Sequence, residues 1–172
     1  MRLKLSAFRR TRNRPDTPDA GIGLSIDGQH SLLKHTIPLA LYGFNTRLQK
    51  SMQFEVKACN DVRIYLVYTT TSADYTFYEI IIDTDGTSII RNLNGHGDIM
   101  SLEKNKYCLY CTRYTFFTIS WERDLLLTGQ CAGDVILVPA ANDILVEDVY
   151  VMTGSGSSGH WIVYRNGMYL MK

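Results

Sequence analysis

Short apolar bursts alternate with turn-forming residues along most of the chain. The clearest bursts occupy residues 54–58, 78–82, 88–91 and 117–121, and Asp, Asn, Gly and Thr separate them. Valine, isoleucine and aromatic side chains suit a pleated, half-buried surface, whereas Gly, Asn and Asp accept the bends between strands. No segment carries the pattern of a long helix. The chain is therefore predicted to be all-β.

The predicted strands follow one another closely, without helices between them. This density indicates an antiparallel two-sheet β-sandwich or jelly roll. Residues 1–20 are predicted to be a flexible basic arm, because dense Arg and two Pro cannot bury enough apolar surface to offset the entropy of ordering. Residues 21–172 are predicted to form a single domain. Strands are expected at residues 22–26, 32–41, 54–58, 62–69, 77–82, 87–92, 107–111, 115–121, 125–128, 135–138, 144–152 and 161–164.

One hairpin can be predicted in register. Residues 84–86 end in Gly and fit a three-residue hairpin loop, which places Glu79 opposite Arg91. Opposite charges directly across two strands contribute a few tenths to about one kcal/mol. We therefore expect a structural ion pair between Glu79 and Arg91. The alternative is a two-residue turn, which sets Glu79 opposite Asn92.

Composition adds size and aromatic content to this picture. The 172 residues are 45% hydrophobic and 20% charged, within the range of one compact domain. Eleven Tyr, six Phe and two Trp supply aromatic side chains, and Tyr suits positions where a sheet face meets water or a ligand. The apolar runs are short, so no transmembrane segment is expected.

Charge is distributed unevenly, although the net charge is only +1. The first fourteen residues contain six basic residues and no acid, so the remainder of the chain is acidic. Such basic clusters are most often solvent-exposed segments without a specific partner. No nucleic acid partner is expected. The N-terminus lacks the apolar core of a secretory signal, which predicts a cytoplasmic protein. A secreted protein stays open if this N-terminus is not native.

The four cysteines, at positions 59, 108, 111 and 131, permit two disulfides whose pairing the sequence does not reveal. Cys108 and Cys111 have the CxxC spacing of zinc and redox sites. On a predicted strand, however, these two side chains point to opposite faces and cannot share a metal ion. No metal site is expected, and all four cysteines are interpreted as buried free thiols in a reducing compartment.

Six short motifs occur in a characteristic order between residues 36 and 165. The motifs are Phe54-Glu-Val-Lys-Ala58, Tyr78-Glu-Ile80, Ser88-Ile-Ile-Arg91, Phe117-Thr-Ile-Ser-Trp121, Gly129 and Thr153-Gly-Ser-Gly-Ser-Ser-Gly-His-Trp161. Together they resemble the farnesoic acid O-methyl transferase domain of invertebrates. The name of that family implies an S-adenosylmethionine-dependent enzyme that converts farnesoic acid to methyl farnesoate, whereas its strand pattern is similar to that of binding domains.

Residues 154–159 fit the pattern G-x-G-x-x-G, which binds nucleotides or S-adenosylmethionine when a helix follows it in a βαβ unit. Only thirteen residues follow Gly159, and the next ones are typical of a strand. We therefore predict a loop that joins two strands. No cofactor is expected; S-adenosylmethionine belongs only to the methyltransferase alternative.

Candidate ligand contacts cluster around this glycine loop. His160 and Trp161 form a polar and aromatic pair of the kind that builds small-ligand sites, although Trp161 alternates with Val163 as a core residue would. Trp121 and Phe54 are predicted to be core aromatics. Ser25, Asp27 and His30 are interpreted as a polar loop without a catalytic role, and His96 as a loop residue. The full set of predicted ligand contacts is Tyr75, Tyr110, Gly154, Gly156, Gly159, His160 and Trp161.

These observations favour a non-catalytic recognition module that binds a carbohydrate, lipid or protein, with an unknown small molecule, glycan or protein as partner. The first alternative is a carboxylate O-methyltransferase, as the family name implies, but no catalytic residue can be assigned. The second is a structural or assembly module whose sheet edges associate, which would make the protein a homo-oligomer. Fold does not decide between a binding and a catalytic role.

Overall fold

The computed structural model contains thirteen strands and one short 3-10 helix among the residues that it describes. They form two antiparallel sheets, and the fold is the all-β sandwich that the strand pattern predicts. Among these residues no helix is long and apolar enough to cross a membrane. The described residues are 12–13, 16–17, 36–69, 75–84, 87–93, 96–101, 109–129, 133–138, 145–154 and 159–164.

Sheet A has seven strands, with β4 and β9 near its centre. In order across the sheet, β1, β13, β4, β9, β10 and β11 are neighbours, and β2 also pairs with β13. The strands are β1 (Arg12–Asn13), β2 (Asp16–Thr17), β4 (Ser51–Ala58), β9 (Thr115–Ser120), β10 (Leu125–Gly129), β11 (Gly133–Val138) and β13 (Gly159–Tyr164).

Sheet B has six strands, with β5 and β6 at its centre. Its order is β3, β12, β5, β6, β7 and β8. The edge strand β3 contains Pro38, which an edge tolerates because its missing N–H is not needed by a second neighbour. The strands are β3 (Ile37–Pro38), β5 (Val62–Thr69), β6 (Tyr75–Ile82), β7 (Thr87–Leu93), β8 (His96–Ser101) and β12 (Val146–Thr153), and the 3-10 helix Leu39–Tyr42 follows β3.

The main core lies between the sheets and follows directly from the alternation of side chains. In β4 every second residue is buried, and Phe54 stacks on Phe117 and packs against Trp161, each with 5.4 Å between ring centroids. Trp121 is 2% exposed and Phe54 is fully buried. The prediction that Trp121 and Phe54 are core aromatics is confirmed.

A second, smaller apolar cluster lies on the outer face of sheet B. It consists of Tyr65, Val67, Phe77 and Met152, with Tyr150 partly buried beside them. In β5 these residues alternate with Ile64, Leu66 and others that belong to the main core. Sheet B therefore buries apolar side chains on both faces, which explains why β5 reads as a nearly continuous apolar run.

The candidate functional site lies at one end of the sandwich. Strands β4 and β12 end there, and β5, β9 and β13 begin there, as the pairings of Val62 with Thr153 and of Gly159 with Ala58 require. We call it the bridge end, because a disulfide described below crosses it. The opposite end carries the 3-10 helix and residues 121–124, with Trp121 donating its backbone N–H to the Lys50 carbonyl.

Several local predictions are wrong. Residues 12–13 and 16–17, expected in a flexible arm, pair with β13. His96, expected in a loop, begins β8 and pairs with Leu93. Residues 109–111 are not a strand but lead into a bend. Residues 39–42 form a 3-10 helix because Pro38 ends the strand after two residues.

Candidate functional site

A disulfide between Cys59 and Cys111 joins the loop after β4 to the segment before β9, across 52 residues of sequence. The prediction of buried free thiols is wrong for this pair. Both residues are exposed, and Cys111 lies in a bend where the strand alternation does not direct its side chain. Cys108 and Cys131 lie outside the described residues.

Arg63 binds two carboxylates on the outer face of sheet B. Its Nε donates to Asp61 Oδ2 at 2.7 Å and its Nη1 to Glu79 Oε1 at 3.0 Å. The Tyr65 hydroxyl donates to the same Glu79 oxygen at 2.9 Å. Glu79 lies directly opposite Tyr65 across β5 and β6. We call Asp61, Arg63, Tyr65 and Glu79 the carboxylate network.

Two members of the carboxylate network, Arg63 and Tyr65, have raised pKa values. Burial lowers the pKa of Arg63, but the hydrogen bond to Asp61 and the charges of Glu79 and Asp61 outweigh it, and the pKa is raised. Burial, and then the charge of Glu79, raise the pKa of Tyr65. Neither Arg63 nor Tyr65 exchanges a proton near neutral pH, which supports a structural role for these two side chains.

The glycine loop is fastened to this network at its first residue. Gly154 donates its backbone N–H to the Asp61 carbonyl at 2.8 Å. A Cβ at position 154 would overlap the Asp61 carboxylate, so the close approach of the two chains requires glycine. Gly159, where β13 begins, pairs with Ala58. The segment between them joins two strands, as predicted.

Two cations of the bridge end lie over tyrosine rings. The Arg113 guanidinium carbon is 3.6 Å from the ring centroid of Tyr110, and Lys57 Nζ is 5.4 Å from that of Tyr114. Arg113 is exposed and the other three side chains are half-buried. Within the described parts of the chain, neither cation has an ion pair with an acid. We call these four residues the tyrosine–cation patch.

A row of polar and aromatic side chains continues from the patch along sheet A. Met52, Phe54, Val56 and Ala58 of β4 face the core, so Lys57 and Glu55 face outward. The Tyr164 hydroxyl donates to Glu55 Oε1. The rings of Phe116 and Tyr164 are 6.4 Å apart, and both are half-buried.

The structure brings most of the predicted ligand contacts to the bridge end. Tyr110 belongs to the patch, and His160 is exposed and lies opposite Lys57. Gly154 and Gly159 also lie at this end of the sandwich. Gly156 lies outside the described residues.

One other predicted contact is wrong. Trp161 is fully buried, because it faces the core opposite Val56, and it cannot touch a ligand. The backbone of Tyr75 pairs with Thr69 at the opposite end of the sandwich, and its role as a ligand contact stays a prediction.

The predicted register between β6 and β7 is also wrong. Ile82 pairs with Thr87, which leaves four residues in the connection, and Arg91 pairs with Tyr78. Arg91 and Glu79 therefore occupy opposite faces of the sheet. Glu79 instead forms its ion pair with Arg63 on β5. The Glu79 carboxylate therefore needs no cation from β7.

The sequence prediction missed Lys57, Arg113 and Tyr114. Alternation in β4 places Lys57 on the outer face, and this signal was present in the sequence. Arg113 lies in the bend before β9, where side-chain direction follows no simple period, so no comparable signal marked it.

Neither protein-family models nor curated proteins give a match to this chain. The resemblance to farnesoic acid O-methyl transferase domains thus stays a prediction that rests on the sequence motifs.

Proposed function

We propose that the chain is a non-catalytic recognition module that binds a carbohydrate at the bridge end of the sandwich. The observation that carries this proposal is the tyrosine–cation patch. Lys57 and Arg113 sit on tyrosine rings, and no described acid neutralises them. Cations without an acid partner can make charge-assisted hydrogen bonds to a ligand.

The setting of the patch supports a binding role. The Cys59–Cys111 bridge fastens the bend that carries Arg113 to the end of β4, and Gly154 is tied to Asp61 nearby. A site held in place before the ligand arrives loses less conformational entropy on binding. Aromatic rings beside polar groups also suit sugars, which present apolar ring faces and many hydroxyls.

The methyltransferase implied by the family name is the competing reading. A methyl donor must be held in line with its acceptor. The glycine segment would need to cradle that donor against a helix N-terminus, but it leads into the strand β13. Titration calorimetry with S-adenosylmethionine separates the two functions, and saturable binding of the donor at this loop would favour the enzyme.

We also propose that the chain works in an oxidising compartment, outside the cell or within the secretory pathway. The Cys59–Cys111 disulfide supports this, since cytosolic thiols are kept reduced. This proposal replaces the cytoplasmic location expected from the N-terminal sequence. Thiol labelling of protein from its natural source, with and without prior reduction, tests it.

A glycan array tests the binding function, with the double variant Lys57→Gln/Arg113→Gln compared with the wild type. The matched control is Arg47→Gln/Lys50→Gln, which removes the same two charges from exposed positions outside the patch. We expect the first variant to lose glycan binding and the control to keep it. Equal binding by both variants would contradict the proposal.

A further inference from the structure

We infer that the site reads an extended acidic glycan in which a negatively charged sugar is followed by a neutral one. This inference deepens the proposed function and rests on it. The inference starts from the two charges on the outer face of β4. Counted from the bridge end, cationic Lys57 comes first and anionic Glu55 second.

The patch end fits an anionic group. A guanidinium carries five N–H donors in a planar fork, and it recognises carboxylate and sulfate through paired hydrogen bonds. Stacking on Tyr110 at 3.6 Å covers one face of the Arg113 guanidinium and leaves its N–H edge available. Lys57 adds a second positive charge over the ring of Tyr114. Both cations lack an acid partner in the described chain.

The next position along β4 disfavours a second anion. Residues two apart on a strand are separated by about 7 Å, so Glu55 lies roughly one such step from Lys57. Its carboxylate accepts from the Tyr164 hydroxyl and retains further acceptor capacity. A sugar hydroxyl can donate to such a group, whereas a second carboxylate or sulfate would be repelled.

The aromatic side chains favour a sugar over an acidic peptide at this second position. Phe116 lies directly opposite Glu55 across β4 and β9. Tyr164 packs near Phe116, with 6.4 Å between centroids and 51° between ring planes. These two half-buried rings offer apolar surface to the face of a neutral sugar, and Glu55 offers hydrogen bonding at its edge.

Three tetrasaccharide probes test the inference by titration calorimetry: alternating hexuronate and N-acetylhexosamine, uronate at every position, and neutral N-acetylglucosamine. We expect the alternating probe to bind about tenfold more tightly than either of the others. Glu55→Gln keeps an acceptor for Tyr164 but removes the charge. It should raise affinity for the all-uronate probe about tenfold and leave the alternating probe within a factor of two.

The outcomes separate the inference from the proposed function. If Lys57→Gln/Arg113→Gln abolishes binding but the all-uronate probe binds as well as the alternating one, the charge order is wrong and the recognition function stands. Equal binding of the neutral probe would likewise overturn the inference alone. Binding only to polyglutamate or to phosphatidylserine vesicles would replace the glycan by another ligand class. If Lys57→Gln/Arg113→Gln still binds every probe as tightly as the wild type, the proposed function itself is overturned.

Discussion

Arg63 and Arg113 both lie at the bridge end of the sandwich, but their guanidinium groups have different partners. Arg63 projects from the outer face of sheet B, is 30% exposed and binds two carboxylates. Arg113 lies in a bend before sheet A, is exposed and rests on the ring of Tyr110. One arginine is neutralised within the fold, and the other has no acid partner among the described residues.

The difference separates charges that hold the structure from charges that are available to a ligand. An ion pair that is partly removed from water is costly to break, because its partner is left unpaired. An exposed cation stacked on a tyrosine contributes only about 0.5–1 kcal/mol and keeps its donors available. We therefore expect changes at Arg63 to affect stability and changes at Arg113 to affect binding.

Removal of the disulfide should have the largest effect, since it acts on the structure and the patch together. We expect Cys59→Ser/Cys111→Ser to lower the free energy of unfolding by about 2–4 kcal/mol, because the bridge closes a long loop of the unfolded chain. Glycan affinity should fall as well, since the bend with Arg113 loses its attachment. Urea unfolding and calorimetry of the same variant measure both. Unchanged affinity in the folded variant would show that the patch does not depend on the bridge.

Arg63→Met should have the next largest effect, and on stability alone. It leaves Glu79 and Asp61 without a cation, and we expect a loss of about 2–3 kcal/mol, less than for a fully buried pair because Arg63 is partly exposed. Arg113→Met is the matched control and should change stability by about 0.5 kcal/mol or less. Urea unfolding compares the two. Equal losses would remove the distinction between the arginines.

Gly154→Ala tests whether the glycine loop is held by the carboxylate network. The added methyl group would meet the Asp61 carboxylate, which Arg63 fixes in place, and we expect a loss of about 1–3 kcal/mol. In an Asp61→Ala background the same substitution should cost much less. A double-mutant cycle measures the coupling free energy between the two positions. Additive effects would mean that residue 154 does not interact with the Asp61 side chain.

Tyr65→Phe should have the smallest effect at neutral pH and a distinctive effect in alkali. It removes a hydrogen bond to Glu79, for a loss of about 1 kcal/mol. The pKa of Tyr65 is raised in the folded state, so the unfolded chain loses this proton first, and wild-type stability falls as pH rises above the ordinary tyrosine value of 10.0.

The stability advantage of the wild type over Tyr65→Phe should therefore be constant below about pH 10 and shrink above it, by up to about 1.4 kcal/mol per pH unit. Denaturant unfolding at a series of pH values measures it. A constant difference through the alkaline range would show that Tyr65 ionises equally in both states.

The sandwich could be predicted from sequence because its signals are local. Alternation in β4 assigns Phe54 to the core, and short apolar bursts locate the central strands. β8 also has a local signal in the sequence, because an Asn-Gly dipeptide, here at positions 94 and 95, favours a hairpin turn.

The site was harder to predict because its contacts are between distant parts of the chain. Glu79 on β6 had candidate partners on both neighbouring strands, Arg63 on β5 and Arg91 on β7. The pairing of the strands selected Arg63, and short motifs do not encode that pairing. Cys59 finds Cys111 across 52 residues, through a bend rather than a strand. Trp161 shows the converse: its glycine neighbours suggested a ligand contact, but the inward face of β13 decided its burial.

The separation between structural and ligand-binding charges is tested by the affinity of Arg63→Met and Arg113→Met for the alternating acidic tetrasaccharide, measured by calorimetry at a temperature where both variants are folded. We expect wild-type affinity for Arg63→Met and at least a tenfold loss for Arg113→Met, which corresponds to about 1.4 kcal/mol. Loss of affinity in Arg63→Met with none in Arg113→Met would contradict this separation.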